Sequence, residues 1–122
     1  MEIQAAIDRY FGKGSTMTAE GSEDGSSLEI RLIGSLDLEN SRSLQDLLTW
    51  IIGDQVSHAD LIVDLGRVDY ISSTGVGALT IALTEARKRD TSFRIRNLQP
   101  KVRSIFTLLG LMSYFEEAEN HG

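Results

Sequence analysis

Three consecutive hydroxyl residues, Ser72, Ser73 and Thr74, stand directly before the closely spaced glycines Gly75 and Gly77. They follow an apolar stretch and precede a segment with helical spacing, so at least one should lie at a helix N-terminus. Backbone N–H groups there lack partners within the helix, and the helix dipole favours negative charge. The glycines leave room for a group to approach the turn. The pattern indicates either a helix cap or a site for negative charge, and the residues alone leave both open.

Other catalytic arrangements find little support in the sequence. A nucleophilic serine on a sharp strand-to-helix turn requires glycines two residues away on each side, whereas Tyr70 and Ile71 precede the two serines at that distance. The histidines, His58 and His121, have no neighbours that identify a catalytic base, and a phosphate-binding loop with its lysine is absent. Four aspartates have a spacing that matches no metal-ligand loop: Asp24, Asp37, Asp64 and Asp69. We therefore expect neither an enzyme nor a cofactor.

Apolar spacing predicts the elements around this turn. Strand patterns occur at 28–34, 61–65 and 93–96, with a weaker one at 15–19 and a tail at 114–117 that is either a strand or a helical turn. The cluster at 21–26 predicts a turn with Asp24-Gly25 as its hairpin signal. Helical spacing occurs in four segments: 3–11, 44–52, 76–86 and 100–109. Asp37, Asn40 and Ser41 are candidate caps for the second helix, and Gly110 for the end of the last.

A hairpin followed by alternating helices and strands predicts an α/β fold, a mixed sheet with helices packed against it. The length of 122 residues fits one domain. The formal net charge of −6 argues against a nucleic-acid partner. Basic residues nevertheless concentrate at 87–103, which we interpret as a solvated face; a surface for an acidic partner or for a membrane is the alternative.

Several classes of protein are excluded by composition. The absence of cysteine rules out disulfides and thiolate metal sites. No apolar run approaches the roughly 20 residues of a membrane-spanning helix, and the N-terminus lacks the features of a signal peptide. We expect a cytoplasmic protein.

Three stretches resemble the STAS domain family, and in particular the bacterial anti-sigma factor antagonists. They are the strand at 61–65, the turn at 70–77 and a downstream pattern of Val102, Phe106, Leu109, Gly110 and Leu111. The segment 34–37 is also similar to the Gly-Glu-Leu-Asp element of that family. The resemblance covers about residues 15–118. It implies a small mixed β-sheet with helices mainly on one side, a STAS domain at 15–122 and an N-terminal helical extension at 1–14.

In this family, the serine after an aspartate in an Asp-Ser-Ser-Gly turn is phosphorylated by a partner serine/threonine kinase that is also an anti-sigma factor. The unphosphorylated antagonist binds that partner and frees the sigma factor, and a serine phosphatase is a further expected partner. By position, the resemblance makes Ser73 the phosphoacceptor and Ser72, Thr74, Gly75 and Gly77 the flanking switch loop. It implies a partner-binding surface of Asp37, Ser73, Thr74, Val76 and Leu79. Ser72 replaces the family's aspartate, which removes a carboxylate beside the target hydroxyl.

Other members of the family have structural roles. The alternative function is therefore a structural component of a larger assembly, either a stressosome-type scaffold or a STAS protein associated with lipid or anion transport. In that case the first helix or the basic stretch at 87–103 would be the docking surface.

Overall fold

Alternating apolar residues in the central strands form one face of a five-stranded sheet. The computed structural model describes residues 3–12, 15–54 and 60–118. Its elements, in chain order, are α1 (Ile3–Tyr10), β1 (Met17–Asp24), β2 (Ser27–Leu36), α2 (Leu38–Asp54), β3 (Asp60–Ile71), α3 (Ser73–Lys88), β4 (Ser92–Arg96), α4 (Pro100–Leu108), a 3₁₀ turn (Met112–Tyr114) and β5 (Glu116–Glu117). The predicted α/β class is confirmed.

The strands follow the order β1-β2-β3-β4-β5 across the sheet. β1 is antiparallel to β2, and the other neighbouring strands are parallel. The pairing of β2 with β3 shifts register twice, between Arg31 and Ile33 and between Gly34 and Ser35. The two strands still end together, because Leu36 pairs with Ile71. The starts of α2 and α3 therefore lie next to each other, at the C-terminal ends of β2 and β3.

The two faces of the sheet differ in chemistry. One face packs against the helices, and its strand residues are buried: Leu28, Ile30, Leu32, Leu61, Val63, Leu65, Phe93 and Ile95. On the other face, charged side chains pair across strands. Arg94 contacts Asp60 at 2.6 Å, and Arg96 contacts Glu29 at 2.8 Å. This alternation places the apolar residues of these strands on the helix side of the sheet and the charged residues on the other side.

Several element boundaries differ from those predicted. β1 continues through Asp24, so the predicted turn at 21–26 is reduced to Gly25 and Ser26. β3 extends six residues beyond the predicted strand at 61–65, to Ile71. The tail contains both alternatives, a 3₁₀ turn followed by the short strand β5. In β1 and β3, pairing with β2 supplies backbone hydrogen bonds to residues whose own propensities favour turns.

The basic stretch at 87–103 is largely engaged within the domain. Besides the two pairs on the sheet, Arg103 contacts Glu117 at 2.6 Å, and Arg89 contacts Glu85 at 3.2 Å. The Arg87 guanidinium lies 4.4 Å from the centre of the Tyr114 ring. The interpretation of the stretch as a solvated face therefore holds only in part, because Arg96 is 8% exposed and most of these cations have partners within the domain. Among the described residues, no helix combines the length and apolar character needed to cross a membrane.

α1 contributes directly to the core. Ile3, Ala6 and Ile7 are buried, and the Tyr10 ring lies 6.4 Å from that of Trp50 on α2. Gly12 follows the helix, close to its predicted end. The division into an extension at 1–14 and a domain at 15–122 remains a prediction, but these contacts join the helix to the same hydrophobic core.

Replacing Ile7 should therefore measure how much α1 stabilises the domain. We expect Ile7→Ala to lower the free energy of unfolding by about 2–4 kcal/mol, because it removes apolar contacts from a side chain that is 1% exposed. Urea denaturation followed by circular dichroism would give the value. Arg9→Ala, on the exposed side of the same helix, should change it by about 0.5 kcal/mol or less. Equal effects of the two variants would show that α1 is not part of the cooperative core.

The Asp60–Arg94 pair makes stability dependent on pH. Burial alone would raise the pKa of the Asp60 carboxyl, but hydrogen bonds and positive charge from Arg94 lower it overall. A carboxyl with a lower pKa in the folded state stabilises the protein fully above its unfolded pKa of about 4. That contribution is lost as the pH falls through the folded pKa.

We expect Asp60→Asn to reduce the loss of unfolding free energy between neutral pH and about pH 3. Denaturant titrations of both proteins across this range would measure it. Glu116→Gln, an exposed acid on β5, is the control. If the two variants have the same pH dependence, the Asp60–Arg94 pair does not contribute as its geometry indicates.

Candidate functional site

The hydroxyl turn is the junction between β3 and α3. Ser72 has extended backbone angles, and its Oγ accepts a hydrogen bond from the Gly75 N–H at 3.0 Å. Its own N–H donates to the Leu36 carbonyl at the end of β2, at 2.9 Å. Ser72 is therefore the helix cap, which the sequence pattern had left open between Ser72 and Ser73, and Ser73 is the first residue of α3.

The three hydroxyls of the turn have different environments. The Ser72 and Thr74 oxygens are 2.7 Å apart, and Thr74 Oγ1 is 3.4 Å from Ser41 Oγ on α2. The Ser73 side chain is exposed, and its hydroxyl makes no hydrogen bond within the described part of the chain. Ser73 thus presents the hydroxyl that solvent or a partner can reach without breaking an existing contact.

The start of α2 forms the second wall of the site. Asp37 Oδ1 accepts from the Asn40 N–H at 3.1 Å, and Asn40 Oδ1 accepts from the Asp37 N–H at 2.9 Å. This reciprocal cap confirms two of the three predicted capping residues. A hydrogen bond of 2.7 Å from Thr16 to Asp37 Oδ2, together with the Asn40 N–H, lowers the pKa of the Asp37 carboxyl. The site therefore carries an ionised carboxylate at neutral pH.

Gly75 and Gly77 have different surroundings. A Cβ at Gly75 would lie 2.8 Å from Leu36 Cγ and 3.0 Å from Ile71 Cγ1, so this glycine lets α3 approach the strand ends. A Cβ at Gly77 would meet nothing within 4 Å. The expectation that both glycines leave room at the turn is corrected for Gly75, because its Cα faces the core.

Two predicted partner-binding residues are not on the surface. Val76 and Leu79 have 0% exposure and belong to the hydrophobic core. Their place in the predicted contact surface is therefore wrong: both face the core from the buried side of α3. Asp37, Ser73 and Thr74 lie at the same end of the domain, as expected from the joint ending of β2 and β3.

Sequence reasoning missed two exposed apolar residues at this end. Leu38, the first residue of α2, is 72% exposed, and Tyr70, near the end of β3, is 54% exposed. Both depart from the buried apolar pattern of their elements, and that departure is the signal that would have identified them. Large apolar side chains exposed beside a polar turn are typical of protein interaction surfaces.

The structure identifies no group of metal ligands at the site within the described residues. His58 and His121 lie outside the described residues. Within the described ranges, no three acidic or histidine side chains are grouped as metal ligands. Two of the aspartates considered above have protein partners instead. Asp64 accepts from the Gly66 N–H at 2.8 Å, and Asp69 accepts from Ser35 Oγ at 3.0 Å.

The domain is a mixed five-stranded sheet packed with helices, with an exposed serine at the start of α3. The family model described as "STAS domain" matches residues 18–121. The chain belongs to the STAS domain family, as its resemblance implied.

Comparisons with individual proteins agree with this assignment. A protein of Bordetella bronchiseptica provisionally named as the anti-sigma factor antagonist BtrV is 33% identical over 60 residues, which are 49% of this chain and 52% of that protein. The chain thus spans about half the length of this relative. The anti-sigma factor antagonist SpoIIAA in its unphosphorylated form has a TM-score of 0.71 at 22% identity, covering 84% of this chain and 90% of that chain.

Two further structures have the same fold. The phosphorylated form of SpoIIAA, described as a Bacillus cell fate determinant, has a TM-score of 0.65 at 21% identity, covering 84% of this chain and 93% of that chain. An anti-sigma factor antagonist from Mycobacterium paratuberculosis has a TM-score of 0.73 at 19% identity, with 91% and 92% covered. At these identities, the structural similarity establishes the fold.

The two glycines provide a matched test of how the turn is held. We expect Gly75→Ala to destabilise the domain, because its Cβ would force Leu36 and Ile71 to move. Gly77→Ala should instead stabilise the domain by about 0.5–1 kcal/mol, since it replaces a helical glycine in open space. Thermal and urea unfolding of both variants would measure the changes. Stabilisation by Gly75→Ala would contradict the close contact described here.

Proposed function

We propose that the protein is an anti-sigma factor antagonist controlled by phosphorylation of Ser73. In its unphosphorylated form it binds an anti-sigma factor that is also a serine kinase, and the sigma factor is released. A serine phosphatase restores the binding form. The proposal assigns the protein a binding role in the cytoplasm and no catalysis of its own. The observation that carries it is the exposed hydroxyl of Ser73 at the start of α3, which makes no hydrogen bond to any described residue, and the family and the relatives' names support it.

Phosphate at this position would act locally. A phosphoryl group adds about −1.5 to −2 charge at one point. The positive end of the α3 dipole tolerates that charge, so the fold need not change. A partner packed over Ser73 would instead face a dianion that must be desolvated. The ionised Asp37 at the same end of the domain adds to the negative potential. A difference of about 3 kcal/mol in binding would change affinity more than a hundredfold.

The replacement of the family's aspartate by Ser72 is compatible with this switch. The Ser72 side chain caps α3 by accepting the Gly75 N–H, and serine and aspartate are comparable caps. The geometry that presents Ser73 is therefore retained. The replacement removes one negative charge from the turn, so the phosphate would have one fewer like charge beside it.

The apolar contacts of the partner surface are assigned to Leu38 and Tyr70, which replace Val76 and Leu79 in that role. Leu38 follows the Asp37 cap directly, and Tyr70 lies three residues before Ser73. Ser35 pairs with Tyr70, and Leu36 pairs with Ile71. This pairing brings Leu38 and Tyr70 to the end of the sheet where α2 and α3 begin. A surface of exposed apolar residues around a small polar centre fits a protein partner.

Ser73 should be the residue phosphorylated by the cognate kinase. We expect phosphate at Ser73 when the pure protein is incubated with ATP and a lysate of the cells that produce it, followed by phosphopeptide mapping. Ser73→Ala should abolish incorporation and keep the partner-binding form, because the Ser72 cap remains. Ser73→Asp should weaken partner binding with little change in melting temperature, since the added charge lies at the helix start.

Ser72→Ala and Thr74→Ala are the neighbouring controls. Both should retain phosphorylation at Ser73, although Ser72→Ala should lower stability by about 1 kcal/mol through loss of the cap. Phosphate on Ser72 or Thr74 in the wild-type protein would contradict the assignment. If no phosphate is incorporated and the native mass corresponds to a large homomeric assembly, a scaffold component becomes the better description.

Leu38→Ala and Tyr70→Ala should each weaken binding of the partner captured by the unphosphorylated protein, by about tenfold or more. The reason is that truncation removes exposed apolar area from the centre of the proposed surface. Leu108→Ala is the matched control, because Leu108 is 81% exposed but lies at the end of α4. Titration calorimetry with the purified partner would compare the three variants. Equal loss of affinity for Leu108→Ala would place the contact surface elsewhere.

A further inference from the structure

A cavity of about 300 Å³ lies at the end of the domain where α3 finishes and β4 and β5 begin. Three aromatic residues line it, Phe93, Tyr114 and Phe115, together with Leu83 from α3. The Phe115 ring lies 6.4 Å from that of Phe93 and 6.1 Å from that of Tyr114. Sites for small molecules are mostly apolar, with a few placed polar groups, and begin at roughly this volume.

Arg87 brings an uncompensated positive charge to the cavity. The other arginines of the stretch at 87–103 all have carboxylate partners: Arg89, Arg94, Arg96 and Arg103. Within the described residues, Arg87 has none. Its Nη2 donates to the Tyr114 carbonyl at 3.0 Å, and its guanidinium lies over the Tyr114 ring. Its remaining N–H donors are therefore available to a carboxylate, which a guanidinium binds well.

Glu116 brings the opposite charge to the same cavity. Its side chain is exposed and makes no hydrogen bond or ion pair with any described residue, Arg87 included. A ligand with a single charge would be attracted by one of these two side chains and repelled by the other. A zwitterion satisfies both, so the pair selects a ligand that carries a carboxylate and an ammonium group.

A buried hydroxyl is the third polar group of the cavity. Thr91 is 8% exposed and lines it, and its hydroxyl makes no hydrogen bond to a described residue. Buried polar groups normally have a hydrogen-bond partner. The oxygen is still accessible, because Arg96 Nε is the described buried side-chain atom that is both enclosed and without a partner. The Thr91 hydroxyl thus lacks a partner that an occupant of the cavity would supply.

We infer that this cavity binds a free α-amino acid with an aromatic side chain. The ligand's carboxylate pairs with Arg87 and accepts a hydrogen bond from Thr91, while its ammonium group pairs with Glu116. Its ring packs against the aromatic lining, since such ring pairs stabilise a complex beyond the area that they bury. The site lies at the opposite end of α3 from the Ser73 turn and does not depend on the proposed function.

The test titrates the full-length protein with L-phenylalanine, hydrocinnamate and phenethylamine. These probes share one side chain and carry both charges, only the carboxylate or only the ammonium group. Amide shifts in the nuclear magnetic resonance spectrum give the affinity and the location. We expect L-phenylalanine to bind with a dissociation constant of about 1 mM or lower and to shift amides around the cavity, and each analogue to bind about tenfold more weakly.

Absence of L-phenylalanine binding would overturn the inference. Equal affinity for all three probes, or shifts confined to another surface, would overturn it as well.

Charge-neutral variants separate the two ends of the ligand. Glu116→Gln should weaken L-phenylalanine binding by about tenfold without weakening hydrocinnamate, because only the ammonium group loses its partner. Arg87→Gln should weaken both ligands that carry a carboxylate and spare phenethylamine. Arg89→Gln is the matched control, since Arg89 lies at the same end of α3 but pairs with Glu85 and does not line the cavity. Melting temperatures verify that each variant is folded. A folded Glu116→Gln variant that binds L-phenylalanine as the wild type does would contradict the assigned site.

Discussion

The missing side chain at Gly75 lets α3 begin directly on the ends of β2 and β3. A Cβ there would collide with Leu36 and Ile71, the residues that pair at the end of these two strands. The Ser72 N–H donates to the Leu36 carbonyl across the same junction. The ends of β2 and β3, the Ser72 cap and the start of α3 are thus held together within a few residues. The packing of the core therefore fixes the orientation of the Ser73 side chain at the surface.

The hydrogen bonds of the turn are divided among its residues. Ser72 caps the helix, Thr74 lies within reach of Ser72 and Ser41, and Asp37 and Asn40 cap each other across the first turn of α2. These contacts involve every polar side chain of the turn except Ser73, which is the proposed phosphoacceptor. A modification at Ser73 would break none of them, which is the physical basis for a switch that changes charge and leaves the fold intact.

The structural unit is larger than the region that matches the family. The family model begins at residue 18, yet Ile3 and Ile7 of α1 lie in the hydrophobic core with the sheet. Gly21 lies inside the matched region, and its lack of a side chain leaves the space that Ile3 and Ile7 of this helix occupy. On the opposite face of the sheet, Arg94 and Arg96 pair with acids on neighbouring strands. Helices thus cover one face, while charge pairing across strands keeps the other soluble.

The sequence by itself determined the order of the elements, the buried stripe of each helix and a serine cap at the start of α3, at Ser72 or Ser73. These features depend on residues close together in the chain, so spacing and capping chemistry reveal them. The tertiary structure decided the length of β3, the exposure of Leu38 and Tyr70, and the contact of Gln4 with β1. Each of these depends on which distant segment lies alongside, and that information arises only when the strands pair and the helices pack.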